Sequence, residues 1–361
     1  MATIIAKPTG GTISFAQGVT NGADTIIGSN TVDIIWAHGG DDFMKGGGGA
    51  DFFDGGAGRD AVSYGDSSEG VEVNLQSGSG KGGTAEGDMI FQVEDVYGSA
   101  YDDTLIGDTH DNMLHGGDGN DVLKGGGGID TLFGGNGDDV FQIDGLQDTI
   151  HGGAGIDTLM FTGGDGLGGG IGIGKHVDLH HGFIKASWGP GAYHPPHSFV
   201  HDVENVIGTE FYDKLFGNDA ANTLMGGGGG DHLRGQGGKD VLEGGQGDDL
   251  INGGSGADTL RGGSGADTFE FKEHVDSIMG GGLGSMDIIM DFQKGQDRID
   301  LTAMDPALGD LLILNNQNVD GVNCSVVGLD YDDDGTLGLY EFALAVKMAA
   351  GATLNAGDIL I

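Results

Sequence analysis

The chain has 361 residues, 79 of them Gly and only 5 Pro, with 15 Lys+Arg against 56 Asp+Glu for a net charge of −41. Gly at this level without a Gly-X-Y period or abundant Pro excludes collagen, and aliphatic residues recurring in register exclude plain disorder. The acidic excess excludes nucleic acid and anionic membrane as partners, since both need clustered cations.

The N-terminus, "MATIIAKPTGGTISFAQG", has no basic region followed by a long apolar stretch. A cleaved signal peptide is therefore not expected, and no apolar run reaches the roughly 18–20 residues of a membrane span. From residue 19 a nine-residue frame begins, G-G-x-G-x-D-x-U-x with U apolar. It runs through three blocks: five units over 19–63, seven over 98–160 and seven over 208–270. Seventeen of the nineteen sixth positions are Asp and the other two are Asn112 and Asn222; all nineteen eighth positions are apolar. Between the blocks lie 64–97 and the His-rich 161–207. The second and third blocks match at an offset of 110, as "GSAYDDTLI" does "GTEFYDKLF". The expected organisation is an N-terminal segment with a first roll (1–63), a linker or cap (64–97), a second roll (98–160), a His-rich linker or cap (161–207), a third roll (208–270) and a C-terminal cap (271–361).

The physics of one unit follows from its residues. Gly at positions one, two and four permits the positive φ of a tight turn, and x-U-x is a short strand with its apolar side chain inward. Two units make a coil, and coils stack as parallel strands about 4.8 Å apart. One buried aliphatic side chain in nine residues, at about 1.5–3 kcal/mol, does not offset the ordering of nine Gly-rich residues at about 1 kcal/mol or more each. The Asp column supplies the remainder. Stacked turns bring carboxylates and turn carbonyls into rows that repel when empty and form oxygen cages around a hard dication, a ligand set suited to Ca²⁺. Binding energy then becomes folding energy. The candidate calcium ligands are Asp42, Asp51, Asp60, Asp121, Asp130, Asp139, Asp157, Asp231, Asp240, Asp249, Asp258 and Asp267.

"GGGGADFFD", "GGDGNDVLK", "GGQGDDLIN" and "GGSGADTLR" resemble the nonapeptides of RTX (repeats-in-toxin) proteins. The resemblance covers 171 residues and implies an all-β parallel β-roll, here in three stacks with a small β-rich C-terminal cap. It also implies calcium-driven folding and type I secretion.

The second linker holds six of the chain's twelve His within 26 residues: His176, His180, His181, His194, His197 and His201. His194, His197 and His201 are a candidate transition-metal (Zn²⁺) set, although Gly-Pro and Pro-Pro steps make the segment a loop without a helix to fix ligand spacing. Trp188, Tyr193 and Phe199 form a candidate partner or glycan contact patch, with packing as the alternative for Phe199.

After Phe271 the Gly content falls. "DIIMDFQKGQDRIDLTAM" (287–304) resembles the segment that follows the rolls of serralysin-type metalloproteases, and the final "TLNAGDILI" resembles their uncleaved secretion end; an edge strand closing the domain is the other reading of that end. In "DYDDDGTLGLYE", Asp330, Asp332, Asp334, Thr336 and Glu341 fall at positions 1, 3, 5, 7 and 12 of an EF-hand loop. The preceding "GVNCSVVGL" reads as strand, and "LYEFALAVKMAA" as either a helix or an extended segment. The sole cysteine, Cys324, permits no intramolecular disulfide and no Cys-based zinc site.

No H-E-x-x-H, G-x-S-x-G or P-loop Lys-Ser/Thr is present, and the rolls account for nearly all residues before 271, so no enzyme is expected. The expected function is that of a secreted, extracellular calcium-binding RTX protein, exported by type I machinery, that folds on Ca²⁺ outside the cell and presents an interaction surface to a polysaccharide or a host or cell-surface component. The alternatives are a non-catalytic accessory module of a polysaccharide-acting enzyme system and a transition-metal binder using the His-rich loop.

Overall fold

The computed structural model describes residues 3–5, 11–13, 18–145, 147–161, 174–186, 197–272, 286–304, 310–319, 322–330, 337, 342–348 and 352–361. They fall into two compact units, one within Met1–Gly170 and Pro196–Val203, the other within Ile171–Pro195 and Glu204–Ile361. Both are built of strands, as the nine-residue frame predicts; the described helical turns are two 3₁₀ segments, Gly83–Ala85 and Ala356–Asp358.

In the first unit one sheet runs parallel throughout, through Thr25–Ser29, Phe43–Gly47, Ala61–Ser63, Asp95–Tyr97, Met113–Asp118, Thr131–Asn136, Thr149–Ala154 and Ser198–His201. The second sheet runs through Asp33–Trp36, Phe52–Asp54 and Met89–Phe91, then Thr104–Ile106, Val122–Lys124, Val140–Ile143 and Thr158–Phe161. Its register advances by eighteen residues per coil, as in Leu105↔Leu123 and Leu123↔Phe141. The segment 64–97 joins the first two blocks into one stack. Asp95–Tyr97 bridges Ala61–Ser63 and Met113–Asp118 in one sheet. In the other, Ser79–Lys81 runs antiparallel between Glu72–Asn74 and Met89–Phe91.

The second unit repeats the plan. Lys175–Asp178, Lys214–Phe216, His232–Gly238, Leu250–Gly256 and Thr268–Glu270 form one parallel run, with Phe183–Ala186 antiparallel beside the first strand. Asn205–Ile207, Thr223–Gly228, Val241–Gln246 and Thr259–Ser264 form the other. Both runs continue past residue 270. Asp287–Phe292 pairs parallel with Thr259–Ser264, and Arg298–Asp300 with Thr268–Glu270, so 287–300 is a further coil. Beyond it Ala343–Met348, Val322–Asp330 and Asp310–Val319 close one sheet. Met286, Val326, Ala343, Ala345 and the buried Cys324 pack beneath them.

The "ALAVKM" segment is thus a strand, with Ala343 and Leu344 buried among neighbours on two strands. Ile359–Leu360 lies parallel to Arg298–Asp300, an edge strand held by a capping box between Asn355 and Asp358.

The eighth-position column is the core. Met44, Phe53, Leu123, Phe141, Leu242 and Phe269 have no exposed surface, and the rest of the column matches them. Short strands one residue deep suffice because the coil above and the coil below cover each apolar side chain.

Candidate metal centres

The sixth-position Asp side chains are buried beneath the turns, and they form ladders. In each rung the Oδ1 of one Asp accepts a hydrogen bond from the backbone N–H eighteen residues earlier. Asp42 accepts from Asp24, Asp51 from Asp33 and Asp60 from Asp42, at 2.7–2.8 Å. Asp121, Asp130, Asp139 and Asp157 accept from Asp103, Asn112, Asp121 and Asp139. In the second unit Asp231, Asp240, Asp249, Asp258 and Asp267 accept from Asp213, Asn222, Asp231, Asp240 and Asp249. All twelve candidate Asp residues therefore stand in equivalent rungs.

The second carboxylate oxygen divides the repeats into two kinds. In four turns with Thr, Ser or Gln at position two, its N–H donates to Oδ2: Thr20 to Asp24, Ser29 to Asp33, Thr209 to Asp213, Gln293 to Asp297. Where positions one and two are both Gly, Oδ2 is buried with no hydrogen-bond partner at Asp51, Asp60, Asp121, Asp130, Asp139, Asp231, Asp249 and Asp267, and the same holds at Asp240, whose turn has Gln236 at position two. A buried, unpartnered charged oxygen is costly, and its repetition coil after coil calls for a common cause.

The surroundings supply one. A Cβ built on Gly134 would collide with Asp139 Oδ2 and come within 2.6 Å of Gly152 O; on Gly244 it would meet Asp249 Oδ2 and, at 2.7 Å, Gly262 O. The first Gly of each repeat thus leaves room where its own Asp and the carbonyl of the next coil converge. Burial, with repulsion from neighbouring ladder carboxylates, pushes Asp121 and Asp231 up to about 7, and burial with Asp258 nearby pushes Asp240 to about 8. Carboxylate and carbonyl oxygens only, negative and crowded, fit a hard divalent cation of the Ca²⁺ type. When bound, it would neutralise the rows and tie adjacent turns together.

The ladders also include residues outside the nonapeptide frame. Asp88 Oδ1 accepts from Asp51, Glu94 Oε2 from Asp60, Asp287 from Asp258 and Asp297 from Asp267. Their turns have lost the leading Gly pair, which hid them. The tails "DMIF", "DIIM" and "DRID" keep Asp two residues before a buried Ile and were the available signal.

Of the histidine set, the described part does not come together. His194 lies outside the described residues, as do Trp188 and Tyr193. His197 precedes the strand Ser198–His201, and four residues of extended chain span about 13 Å, too far for His197 and His201 to share one ion. His201 instead stacks on His151 with centroids 5.1 Å apart, the end of a ring column Tyr97–His115–Phe133–His151. Among the described residues no group of three or more His, Cys, Asp or Glu gathers as a metal cluster of that kind. Phe199 does not pack; it is 55% exposed. Asp332, Asp334, Thr336 and Glu341 lie outside the described residues, and Asp330 ends a strand. The Asp-rich loop joins two antiparallel strands, without the flanking helices of an EF-hand.

Among the described residues no helix is long and apolar enough to cross a membrane. No curated protein matches the chain. Among solved structures it is similar to the R3 subunit of the mannuronan C5-epimerase of Azotobacter vinelandii, with 33% identity over 43% of this chain and 80% of that one, at a TM-score of 0.23. It is also similar to the R2 subunit from the same organism's mannuronan C5-epimerase, with 30% identity over 44% of this chain and 92% of that one, at a TM-score of 0.24. The family model for the RTX calcium-binding nonapeptide repeat matches residues 19–53, 27–62, 93–123, 115–142, 145–166, 202–233 and 234–269, together just over half of the chain. With the nonapeptide columns, the eighteen-residue coil and this match in agreement, the chain belongs to the RTX calcium-binding nonapeptide repeat family.

Proposed function

We propose that the protein is secreted, stays unfolded at low cytosolic calcium and folds outside the cell on binding Ca²⁺, then presents an interaction surface without catalysis of its own. The observation that carries this reading is the repeated buried Oδ2 of Asp51, Asp60, Asp121, Asp130, Asp139, Asp231, Asp240, Asp249 and Asp267, unpartnered beside turn glycines. In this reading these residues, with Asp42, Asp157 and Asp258 on equivalent rungs, are the calcium ligands. The Asp-rich loop from Asp330 to Glu341 adds a further site. The three blocks act as rolls, and the C-terminal part carries the type I export signal. Extracellular modules bind Ca²⁺ at about 10⁻⁴–10⁻³ M, which suits a switch thrown by export.

The presented surface is supported by an exposed apolar strip on the outer face of the first coils. Trp36 and Phe91 each lie 5.3 Å from Phe52, flanked by exposed Ile34 and Met89. The same strip favours a second reading, an accessory module of a polysaccharide-acting system, because flat rings suit sugar faces.

Far-UV circular dichroism with small-angle scattering, titrating Ca²⁺ from chelator to about 10 mM, tests the main reading. A steep gain of β signal with collapse in radius is expected. A chain already compact in chelator refutes calcium-driven folding. Retention on polyuronate or neutral glycan resins, lost in Trp36→Ala, decides between the two surfaces.

A further inference from the structure

In one stretch of each unit the protein itself supplies the partners of the ladder side chains named below. In the first unit this stretch is 64–112. Asp88 accepts from the Asp51 N–H at 2.7 Å on Oδ1 and from the buried Tyr64 hydroxyl at 3.0 Å on Oδ2. Asp103 accepts from the Val71 N–H on Oδ1 and from the Ser99 N–H on Oδ2. Asp95 holds both Nη2 and Nε of Arg59, at 2.8 and 3.1 Å. At the end of the stretch the motif's Asp is replaced by Asn112. Its Oδ1 accepts from the Asp108 N–H and its Nδ2 donates to Glu94 O, both at 2.8 Å. An amide that donates and accepts satisfies itself where a carboxylate would need a cation.

The second unit does the same over 204–222. Asp213 Oδ2 accepts from the Thr209 N–H and hydroxyl at 2.6 and 2.9 Å. Asn222 accepts from the Asn218 N–H and donates to Glu204 O, both at 2.8 Å. In both units the repeats with unpartnered Oδ2 resume within one coil of the Asn: at Asp121 and Asp130, and at Asp231 and Asp240.

We propose that 64–112 and 204–222 are seeds that hold no calcium ion of their own and form ahead of the calcium-requiring coils, which are templated on them. In a stack whose coils touch only their neighbours, the first coil is the costly one, because it has nothing to pair with. If every coil needed metal, the first ion would have to hold two unformed turns together. A seed removes that step and presents a finished row of N–H donors and carbonyls. The calcium coils then add outward one at a time, each with its own ion. The seeds therefore set where folding begins and lower the calcium concentration at which it begins. This inference rests on the calcium-driven folding proposed above.

Hydrogen-exchange mass spectrometry of the full chain, from chelator to about 10 mM Ca²⁺, tests it. Peptides within 64–112 and 204–222 should gain protection at a calcium concentration at least about tenfold below those covering 121–157 and 231–267. In Asn112→Asp the first seed loses its donor to Glu94 O and gains a charge, so its protection should move up to the midpoint of the calcium coils. Tyr64→Phe removes one hydroxyl from Asp88 and should raise the 64–112 midpoint while the saturated fold is kept; it decides the matter if Asn112→Asp does not fold. A single shared midpoint for all peptides, unmoved in Tyr64→Phe, overturns the seeds and leaves calcium-driven folding standing. Protection everywhere in chelator overturns calcium-driven folding, and the seeds with it.

Discussion

Asp240→Asn separates the structural part of a ladder carboxylate from its metal-binding part. Asp240 is fully buried, its Oδ1 accepts from the Asn222 N–H at 2.8 Å, and its Oδ2 has no partner. Burial, with repulsion from Asp258 and against that hydrogen bond, raises it from 3.8 to about 8. At about 1.4 kcal/mol per tenfold change in proton affinity, ionising it at pH 8 costs the calcium-free fold several kcal/mol, on the order of 5 at most. Asn keeps the acceptor, loses the charge and can donate to the carbonyl of residue 222, as Asn222 itself does to Glu204 O. The variant should therefore fold more readily without calcium and be less stable with it. In chelator, its folding midpoint in an osmolyte titration should move to lower osmolyte; in 10 mM Ca²⁺, its urea midpoint should fall and calorimetry should count fewer ions. If the substitution destabilises the protein equally in both conditions, the Oδ2 is a structural group and the metal assignment is wrong.

Acidity should partly replace calcium. Asp60, Asp88, Asp121, Asp130 and Asp249 are each raised from 3.8 to about 7, with burial the largest cause. A folded-state value above the unfolded one gives stability that is fully present below about pH 4 and lost as pH rises through about 7. In chelator, β signal should therefore grow as pH drops from 8 to 5, and in calcium the midpoint should shift to higher Ca²⁺; a pH-independent midpoint would count against buried carboxylate ligands. Gly244→Ala puts a Cβ against Asp249 Oδ2 and Gly262 O and should lose calcium from that turn, whereas Gly22→Ala, whose nearest neighbour is Thr20 Oγ1 at 3.8 Å, should be near neutral by calorimetry. Leu242→Ala empties one eighth position and should cost about 2–5 kcal/mol in saturating calcium, read as a lower urea midpoint with an unchanged ion count.

The sequence made the roll legible because two columns carry different physics at fixed spacing. An apolar side chain at every eighth position could only be core, and Leu123, Leu242 and Phe269 are. Asp at every sixth position could not be tolerated in rows without a cation. What remained hidden lies where the turn changes its chemistry. Around Asp88 the frame's leading glycine pair is broken by Thr84, and Tyr64, far back in the chain, supplies the partner. No local pattern announces such a contact. The "ALAVKM" segment has helix-forming composition and becomes a strand because antiparallel neighbours cover it on the sheet. In the histidine-rich stretch, clustering in sequence is not convergence in space for the described pair: extended backbone separates His197 from His201 and delivers His201 to His151.

The eighteen-residue step of the ladders also governs how such a chain can change length. Asp24, Asp42 and Asp60 stand on one side of the coil, and Asp33 and Asp51 on the other. Deleting a single nonapeptide would carry every later Asp across to the opposite side and feed each strand into the wrong sheet, although no motif downstream had been altered. Deleting or inserting two together leaves both sides in phase and only shortens or lengthens the stack. Mutational gain and loss in these rolls is therefore expected in pairs of repeats, with single-repeat changes confined to places such as 64–97, where an antiparallel hairpin breaks the strict alternation.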